Sequence, residues 1–174
     1  MSLIVEDGTG KVDAESFASV TAADTYHSNR GNTAWAAIAT TALKEAALRK
    51  ASDYMGQIYG PRWKGYRVGT AQALDWPRTG VERPGSFGPL GFASYYAVTD
   101  MPAPVVNACC ELALRAAAAE LAADQGQNIA AVKAGSVEIT YADHSDGRKA
   151  YPAVDRTLAP LLNGGSGQIS LAKS

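Results

Sequence analysis

The chain has 174 residues, of which 47% are hydrophobic and 19% charged, so its composition is that of one globular domain and excludes a disordered protein. Sixteen Lys and Arg residues face seventeen Asp and Glu residues, and the resulting formal net charge of −1 argues against free DNA as the main partner, because nucleic-acid binders usually carry a basic excess. This balance does not exclude a locally basic surface. The sequence has no basic, apolar leader and no apolar run of about 18 residues, which predicts a reduced cytosolic protein without a membrane span.

The first twenty residues are predicted to form an extended N-terminal arm with a glycine turn, and a short helix follows them. Thr21 and Asp24 have the spacing of a capping box, which predicts a helix over about residues 22–29, and the next glycine ends it. His27 lies in this helix without a second His, Cys or paired carboxylate one turn away. It is therefore interpreted as a packed or surface residue and not as a metal ligand.

The strongest predicted element is a helix over residues 41–59, which a threonine at its start can cap and which Gly60 and Pro61 end. Apolar residues recur along it at helical spacing in two adjacent stripes. The first stripe is Leu43, Ala47, Ala51, Tyr54 and Ile58, and the second is Leu48, Met55 and Tyr59. Two stripes mean that the helix is covered on more than one side, either by the chain's own core or by a neighbouring subunit.

The helix runs into the stretch YGPRWKGYR at residues 59–67, in which aromatic and cationic side chains alternate. They are Tyr59, Trp63 and Tyr66, with Arg62, Lys64 and Arg67 between and after them. Such a mixture is typical of a platform for single-stranded nucleic acid, where rings stack on bases and cations follow phosphates. It is also typical of a protein–protein contact, because Trp, Tyr and Arg are enriched at contact hot spots.

The next part of the sequence predicts a turn or short helix that carries Leu74 and Trp76, followed by a long surface loop. The loop covers residues 79–97 and is rich in Gly and Pro, and long loops in compact domains commonly have a function or move. Four aromatic side chains make it a candidate contact arm. They are Phe87, Phe92, Tyr95 and Tyr96.

A second long helix is predicted over about residues 103–125, with prolines at its first turn and Gly126 as its stop. Its alanine-rich face lets another helix approach closely, and the helix over residues 41–59 is the predicted antiparallel partner. Cys109 and Cys110 are neighbours in this helix and do not normally bridge each other, so they are interpreted as two buried free thiols.

The C-terminal part of the chain predicts a β-hairpin and a last short helix. Ile139 and Tyr141 alternate with polar residues, as in a half-exposed strand, and the preceding run at residues 129–133 can pair with it. Pro152 stands in the first turn of the last helix. The Gly- and Ser-rich residues 164–174 are predicted to form a flexible tail.

These elements predict a mainly α fold: a small helical bundle of two long antiparallel helices plus short helices, with a β-hairpin and a long Gly/Pro-rich loop. Residues 1–163 are the single predicted domain, including the extended N-terminal arm, and residues 164–174 are the tail. No catalytic pattern holds, since GTGK at residues 8–11 has Val5 where a phosphate loop needs its first glycine, and the two histidines form no zinc motif. The protein is therefore predicted not to be an enzyme and to use no cofactor or metal.

Six separated stretches resemble, in their order and content, the head–tail connector (adaptor, or head-completion) proteins of long-tailed bacteriophages over nearly the whole chain. They are YHSNRGNTAW, KEAALRKASDYMGQIYGPRWKGYRV, QALDWPRTGV, MPAPVVNACCELALRA, VKAGSVEITYAD and YPAVDRTLAPLLNGG. The most specific pattern is W-x-G-x-R followed by Q-x-L-x-W-P-R, here Trp63, Gly65, Arg67, Gln72, Leu74, Trp76, Pro77 and Arg78. Related phage sequences are also described as DnaT-like single-stranded DNA-binding proteins, a competing hypothesis against which the charge balance weighs.

The resemblance to connectors implies a structural protein of the phage neck, without cofactor or catalysis. Copies of the chain would form a ring, a dodecamer, beneath the portal protein, extend the DNA channel and dock the tail or its stopper protein. The implied partners are the other copies, the portal protein, the tail-side neck or stopper protein, and genomic double-stranded DNA that passes through without sequence preference. No membrane is implied, and the implied location is the virion neck, with the host cytoplasm during assembly.

The candidate subunit or portal contacts are mostly aromatic side chains. They are Trp63, Tyr66, Trp76, Arg78, Phe87, Phe92, Tyr95, Tyr96, Ile139 and Tyr141. The candidate DNA-channel residues are Arg62, Lys64 and Arg67. Two alternatives stay open: both tryptophans belong to the chain's own core, and the three cations lie on a solvated face or in salt bridges. If the three cations instead bind single-stranded DNA, the slope of log affinity against log salt concentration should be about −2.

Overall fold

Two long helices, packed against each other, form the centre of the computed structural model. The structure describes residues 2–87, 91–122, 131–134, 137–140 and 151–164. In chain order the helices are α1 (Val20–Ser28), α2 (Thr33–Ala36), α3 (Thr41–Tyr59), α4 (Ala103–Ala118) and α5 (Pro152–Leu158). Short 3₁₀ helices follow α3 at Gly60–Arg62 and α5 at Ala159–Leu161. The predicted mainly helical fold, with α3 and α4 as its packed pair, is confirmed.

The ends of the long helices follow local signals in the sequence. Helix α3 has the predicted bounds, and Thr40 caps it by accepting a hydrogen bond from the Leu43 amide at 3.2 Å. Helix α4 has Pro102 at its N-cap and ends at Ala118, whereas the predicted stop at Gly126 lies outside the described residues. The capping and proline signals therefore placed the starts of both helices.

The first helix begins two residues earlier than the sequence predicts. The hydroxyl of Ser19 accepts a hydrogen bond from the Ala22 amide at 3.0 Å, so Ser19 is the N-cap of α1. Thr21, the predicted cap, instead lies inside the first turn, where its carbonyl oxygen accepts a hydrogen bond from the Thr25 hydroxyl at 2.9 Å. The predicted capping box is therefore wrong, because a serine in extended conformation precedes it.

The side chain of His27 is buried between α1 and α4 and is hydrogen-bonded at both ring nitrogens. Its Nε2 lies 3.1 Å from the Cys110 carbonyl oxygen, which can only accept, so Nε2 carries the proton. Its Nδ1 lies 3.1 Å from the side-chain nitrogen of Asn32 and accepts from it. The Trp35 ring packs against the imidazole with 4.9 Å between centroids. His27 is thus a packed core residue.

The burial of His27 makes stability depend on pH. Burial lowers the pKa of His27 below its ordinary value of 6.5, so the folded protein keeps this imidazole neutral while the unfolded chain takes up a proton. We expect the free energy of unfolding to fall as the pH drops below about 6.5, by at most about 1.4 kcal/mol per pH unit. Urea unfolding at a series of pH values above and below that point measures it. The His27→Gln variant should lose most of this dependence, and an equally steep dependence in the variant would contradict the assignment.

Six short strands pair, within the described ranges, as three antiparallel two-stranded sheets. They are β1 (Tyr66–Arg67) with β2 (Arg78–Thr79), β3 (Glu82–Phe87) with β4 (Ala93–Tyr95), and β5 (Ala131–Ala134) with β6 (Val137–Thr140). The last pair is the predicted C-terminal hairpin, with Ile139 opposite Val132. Tyr141, predicted as a contact residue, lies outside the described residues, and so do residues 165–174 of the tail predicted at 164–174.

The predicted long loop is partly wrong, because strands β3 and β4 form a hairpin within it. Glu82 lies opposite Tyr95, and Phe87 lies opposite Ala93, so five steps along β3 match two steps along β4. The surplus makes an irregular bulge in β3, and Gly85 supports it with a φ of +67°. Gly and Pro are depleted in regular strands, so the Gly- and Pro-rich composition of this segment predicted a loop and not a pair of strands.

The core lies between α3, α4, α5 and the segment that carries β1 and β2. It contains the second predicted stripe of α3, namely Leu48, Met55 and Tyr59, so the chain's own core covers that stripe. Leu43 of the first stripe is 55% exposed, which the stripe did not predict. Both cysteines are buried free thiols, as predicted. No helix within the described ranges combines the length and the hydropathy that crossing a membrane requires.

Candidate nucleic-acid interface

Trp63 and Trp76 pack against each other inside the chain. Trp63 is 3% exposed and Trp76 is fully buried, and their rings meet edge to face with 5.8 Å between centroids. Trp76 also meets the ring of Tyr96 edge to face at 6.1 Å, and Tyr96 is half-buried as a result. Of the two alternatives for the tryptophans, the chain's own core is therefore the correct one. As contacts for another molecule, Trp63 and Trp76 were wrong predictions.

Arg78, another predicted contact residue, is buried beneath the loop that it organises. Its guanidinium donates to the carbonyl oxygens of Lys64 at 2.8 Å, Gly65 at 2.7 Å and Asp75 at 3.1 Å. Burial lowers the pKa of Arg78, but an arginine stays charged even so. The role of Arg78 is to hold β1 beside β2, and the predicted surface contact is corrected accordingly.

A glycine is required at the turn into β1. Gly65 has a φ of +65°, and a Cβ there would lie 2.1 Å from the Thr79 carbonyl oxygen. This close approach puts Tyr66 opposite Thr79 in the β1–β2 ladder. The backbone before Tyr66 is thus fixed by its neighbours, and the Tyr66 side chain extends from a rigid base.

The C-terminal 3₁₀ segment binds the same stretch from the other side. The Lys64 amide donates to the Leu161 carbonyl at 3.0 Å, and the Asn163 amide donates to the Arg62 carbonyl at 2.6 Å. The side chain of Asn163 also donates to the Trp63 carbonyl at 3.2 Å. Residues 62–64 are therefore held between the core and the end of α5.

Four aromatic side chains in this part of the chain are exposed, in contrast to the buried Trp63 and Trp76. They are Tyr66 (78% exposed), Phe87 (75%), Phe92 (73%) and Tyr95 (56%). Tyr66 lies opposite Thr79 and Tyr95 lies opposite Glu82, and their two partners are only three residues apart in the chain. Phe87 and Phe92 lie farther out, towards the tip of the hairpin.

The three predicted DNA-facing cations come from the same stretch of sequence as Tyr66. The Arg62 guanidinium donates to the Gly164 carbonyl at 3.4 Å, and the Lys64 ammonium donates to the Pro160 carbonyl at 2.8 Å. Arg67 is exposed, and no hydrogen bond or ion pair holds its side chain among the residues that the structure describes. Carbonyl oxygens orient a cation without neutralising it. Within the described residues the salt-bridge alternative is therefore wrong for all three cations.

We call the exposed rings and their cations the aromatic–basic face. Its members are Arg62, Lys64, Tyr66, Arg67, Phe87, Phe92 and Tyr95. Arg67 lies directly opposite Arg78 in the β1–β2 ladder, which places two like charges on neighbouring strands. The charge of Arg78 raises the positive potential at Arg67, the exposed member of the pair, and favours an anion there.

Charge is distributed unevenly along the chain. Residues 59–96 contain five Lys and Arg residues but two Asp and Glu residues, a net charge of +3, which leaves −4 for the remainder of a chain whose total is −1. The two carboxylates are Asp75, whose side chain lies beside Gly60, and Glu82, opposite Tyr95. The net charge of the whole chain is therefore near zero although one segment is basic, and it does not argue against a nucleic-acid partner.

A pocket of about 440 Å³ opens elsewhere, between α1 and α2, but its charged groups pair with one another. Asp24 accepts hydrogen bonds from the Trp35 indole and from the Lys44 ammonium, both at 2.7 Å. These bonds hold the pKa of Asp24 below its ordinary value, chiefly through Lys44. Within the described ranges no three His, Cys, Asp or Glu side chains are grouped to hold a metal ion. The aromatic–basic face is thus the better candidate site.

Comparison with known proteins identifies one family, whose model matches residues 1–173 and is described as "Putative DnaT-like ssDNA binding protein". No match was found among curated proteins or among solved structures. The family match overturns the connector interpretation, together with its ring, its portal, stopper and double-stranded DNA partners and its place in the virion neck. The family is described by binding and not by an enzymatic activity. From its first residue almost to its last, the chain belongs to this DnaT-like family.

Proposed function

We propose that the protein binds single-stranded DNA through the aromatic–basic face. The observation that carries this proposal is that a segment of net charge +3 holds exposed rings and three cations that have no salt bridge among the described residues. Tyr66 and Arg67, adjacent and both exposed, supply a ring and a cation at one position. Family membership supports the choice of single-stranded DNA as the ligand.

The chemistry of the face suits unpaired bases. Every base has a π-face, so stacking on Tyr66 and on the hairpin rings is tolerant of sequence and contributes about 1–3 kcal/mol per base. Phosphates bind the cations at the edge of the face, which adds affinity without sequence preference. In a duplex the base faces are already stacked on one another, so the rings gain less. This proposal requires neither catalysis nor a cofactor, and it places the activity in the cytoplasm.

The salt dependence of DNA binding tests the proposal. Three cations that neutralise phosphates on a single strand predict a slope of log affinity against log salt concentration of about −2. Fluorescence anisotropy with a labelled oligothymidylate at several salt concentrations measures it. Replacing Arg62, Lys64 and Arg67 together with glutamine should bring the slope close to zero and leave only the stacking contribution.

A matched control separates the face from the general effect of removing positive charge. Lys50 on α3 pairs with Glu120 at 2.6 Å, outside the aromatic–basic face, so Lys50→Gln should leave the slope unchanged. A duplex of the same length should bind more weakly than the single strand. An unchanged slope in the triple variant, or equal binding of duplex and single strand, would contradict the proposal.

A further inference from the structure

The register of the β3–β4 hairpin places Phe87 and Tyr95 on the same side of the ribbon. Phe87 lies opposite Ala93, and Tyr95 follows Ala93 by two residues on the same strand. Directly opposite residues share a face of a sheet, and so do residues two apart on one strand. Both rings are also exposed, at 75% and 56%. The two rings therefore project from one face of the hairpin as diagonal neighbours.

The spacing expected for diagonal neighbours in an antiparallel pair is close to what one stacked base requires. Diagonal neighbours across an antiparallel pair lie about 7–8 Å apart, with a somewhat shorter distance between their Cβ atoms. Successive bases in a nucleic-acid strand repeat at about 3.4 Å, so a base inserted between two parallel rings separates them by about 7 Å. Among the described residues neither ring packs against another ring. Both rings are thus free of aromatic contacts within the described residues and are available to stack on a planar ligand.

One wall of this space is held in place by the core. The Arg83 guanidinium donates to the Tyr95 carbonyl at 3.2 Å and pairs with the Asp100 carboxylate. It also lies 4.5 Å above the ring of Tyr96, which itself packs on Trp76. The backbone of Tyr95 is therefore fixed before a ligand arrives, which lowers the entropy lost on binding.

We propose that Phe87 and Tyr95 form a clamp that sandwiches one unpaired base. The proposal rests on the proposed function, since it specifies how the aromatic–basic face holds its DNA. The clamp accepts any of the four bases, because it contacts their π-faces and not their edges. It rejects a base within a duplex, which would first have to leave its stack.

A double-mutant cycle tests the clamp. We expect Phe87→Ala and Tyr95→Ala each to weaken binding of an oligothymidylate by about 5- to 100-fold. Because a sandwiched base needs both rings, the double variant should bind little more weakly than either single variant. Tyr95→Phe, which keeps the ring, should weaken binding far less than Tyr95→Ala does. Circular dichroism of each variant checks that these exposed substitutions leave the fold intact.

Phe92→Ala supplies the matched reference, because Phe92 is similarly exposed but outside the clamp. Its effect should add to that of Tyr95→Ala. The fluorescence of 2-aminopurine, placed at successive positions in the oligonucleotide, should be quenched by the wild type and recover in the Phe87→Ala variant. If the wild type binds the strand but the effects of Phe87→Ala and Tyr95→Ala add fully, the clamp is refuted while the proposed function stands. If the wild type does not bind the strand, both proposals fail.

Discussion

Replacing Trp76 with alanine is expected to lower the free energy of unfolding by about 3–5 kcal/mol, as is usual when a large buried aromatic ring is removed. Trp76 is fully buried, and it stands between the rings of Trp63 and Tyr96, which meet it edge to face. Removing it leaves a cavity that two aromatic side chains line, and rigid rings collapse into a cavity poorly. The loss should therefore lie in the upper part of this range.

Urea unfolding followed by far-ultraviolet circular dichroism measures the effect of Trp76→Ala. Tyr66→Ala is the matched control, because Tyr66 comes from the same segment but is 78% exposed, and it should change stability by less than about 0.5 kcal/mol. If both variants were equally stable, the assignment of Trp76 to the core and of Tyr66 to the surface would be wrong.

The two arginines that face each other across β1 and β2 should give opposite results when each is replaced by alanine. Arg78→Ala removes the donor from the carbonyl oxygens of Lys64, Gly65 and Asp75, and we expect a loss of about 2–4 kcal/mol in the free energy of unfolding. Arg67→Ala removes an exposed side chain and should leave stability unchanged within about 0.5 kcal/mol.

The effects of the same two variants on DNA binding should have the reverse order. Arg67→Ala should weaken binding of an oligothymidylate and reduce the magnitude of the salt slope by about 0.7, the contribution of one phosphate contact on a single strand. Arg78→Ala should be measured without denaturant, at a temperature at which the variant is still folded. It should keep the wild-type slope because the charge of Arg78 faces inward. A reduced slope in Arg78→Ala with normal stability would reverse the roles assigned to the two residues.

The long helices could be predicted from sequence because their signals are local. Helix α3 has a threonine cap at one end and Gly60 with Pro61 at the other, with apolar stripes between them, and its predicted bounds agree with the structure. The hairpin β3–β4 could not be predicted in the same way. Its strands contain Pro84 and Gly85, and its irregular register gives no alternation of apolar and polar residues.

The sequence indicated which kinds of residue form the site, but not which of these residues are exposed. Trp63 and Tyr66 both look like contact residues in the stretch at 59–67, yet Trp63 is buried and Tyr66 is exposed. The difference arises from contacts with Trp76 and Leu162, which are distant in sequence. Arg83, which fixes the base of the hairpin, has no local signal, since its partner Asp100 lies seventeen residues away.

The connector resemblance rested mainly on residues that build the fold of this chain. Its most specific pattern includes Trp63, Gly65, Trp76 and Arg78, and the structure gives each of these residues a role in building the fold. Residues that shape a backbone turn or fill a core do not specify a partner. The exposed residues carry the functional information, and the pattern contains Arg67 as its clearly exposed member.

The hydrogen bonds between residues 62–64 and the end of α5 have a consequence for biosynthesis. The stretch at 62–64 is synthesised before its partners Leu161 and Asn163, which lie about a hundred residues further along the chain. A nascent polypeptide therefore carries the basic stretch without these contacts until the end of α5 has also been made. This part of the surface reaches its final geometry only after residue 163 has been translated.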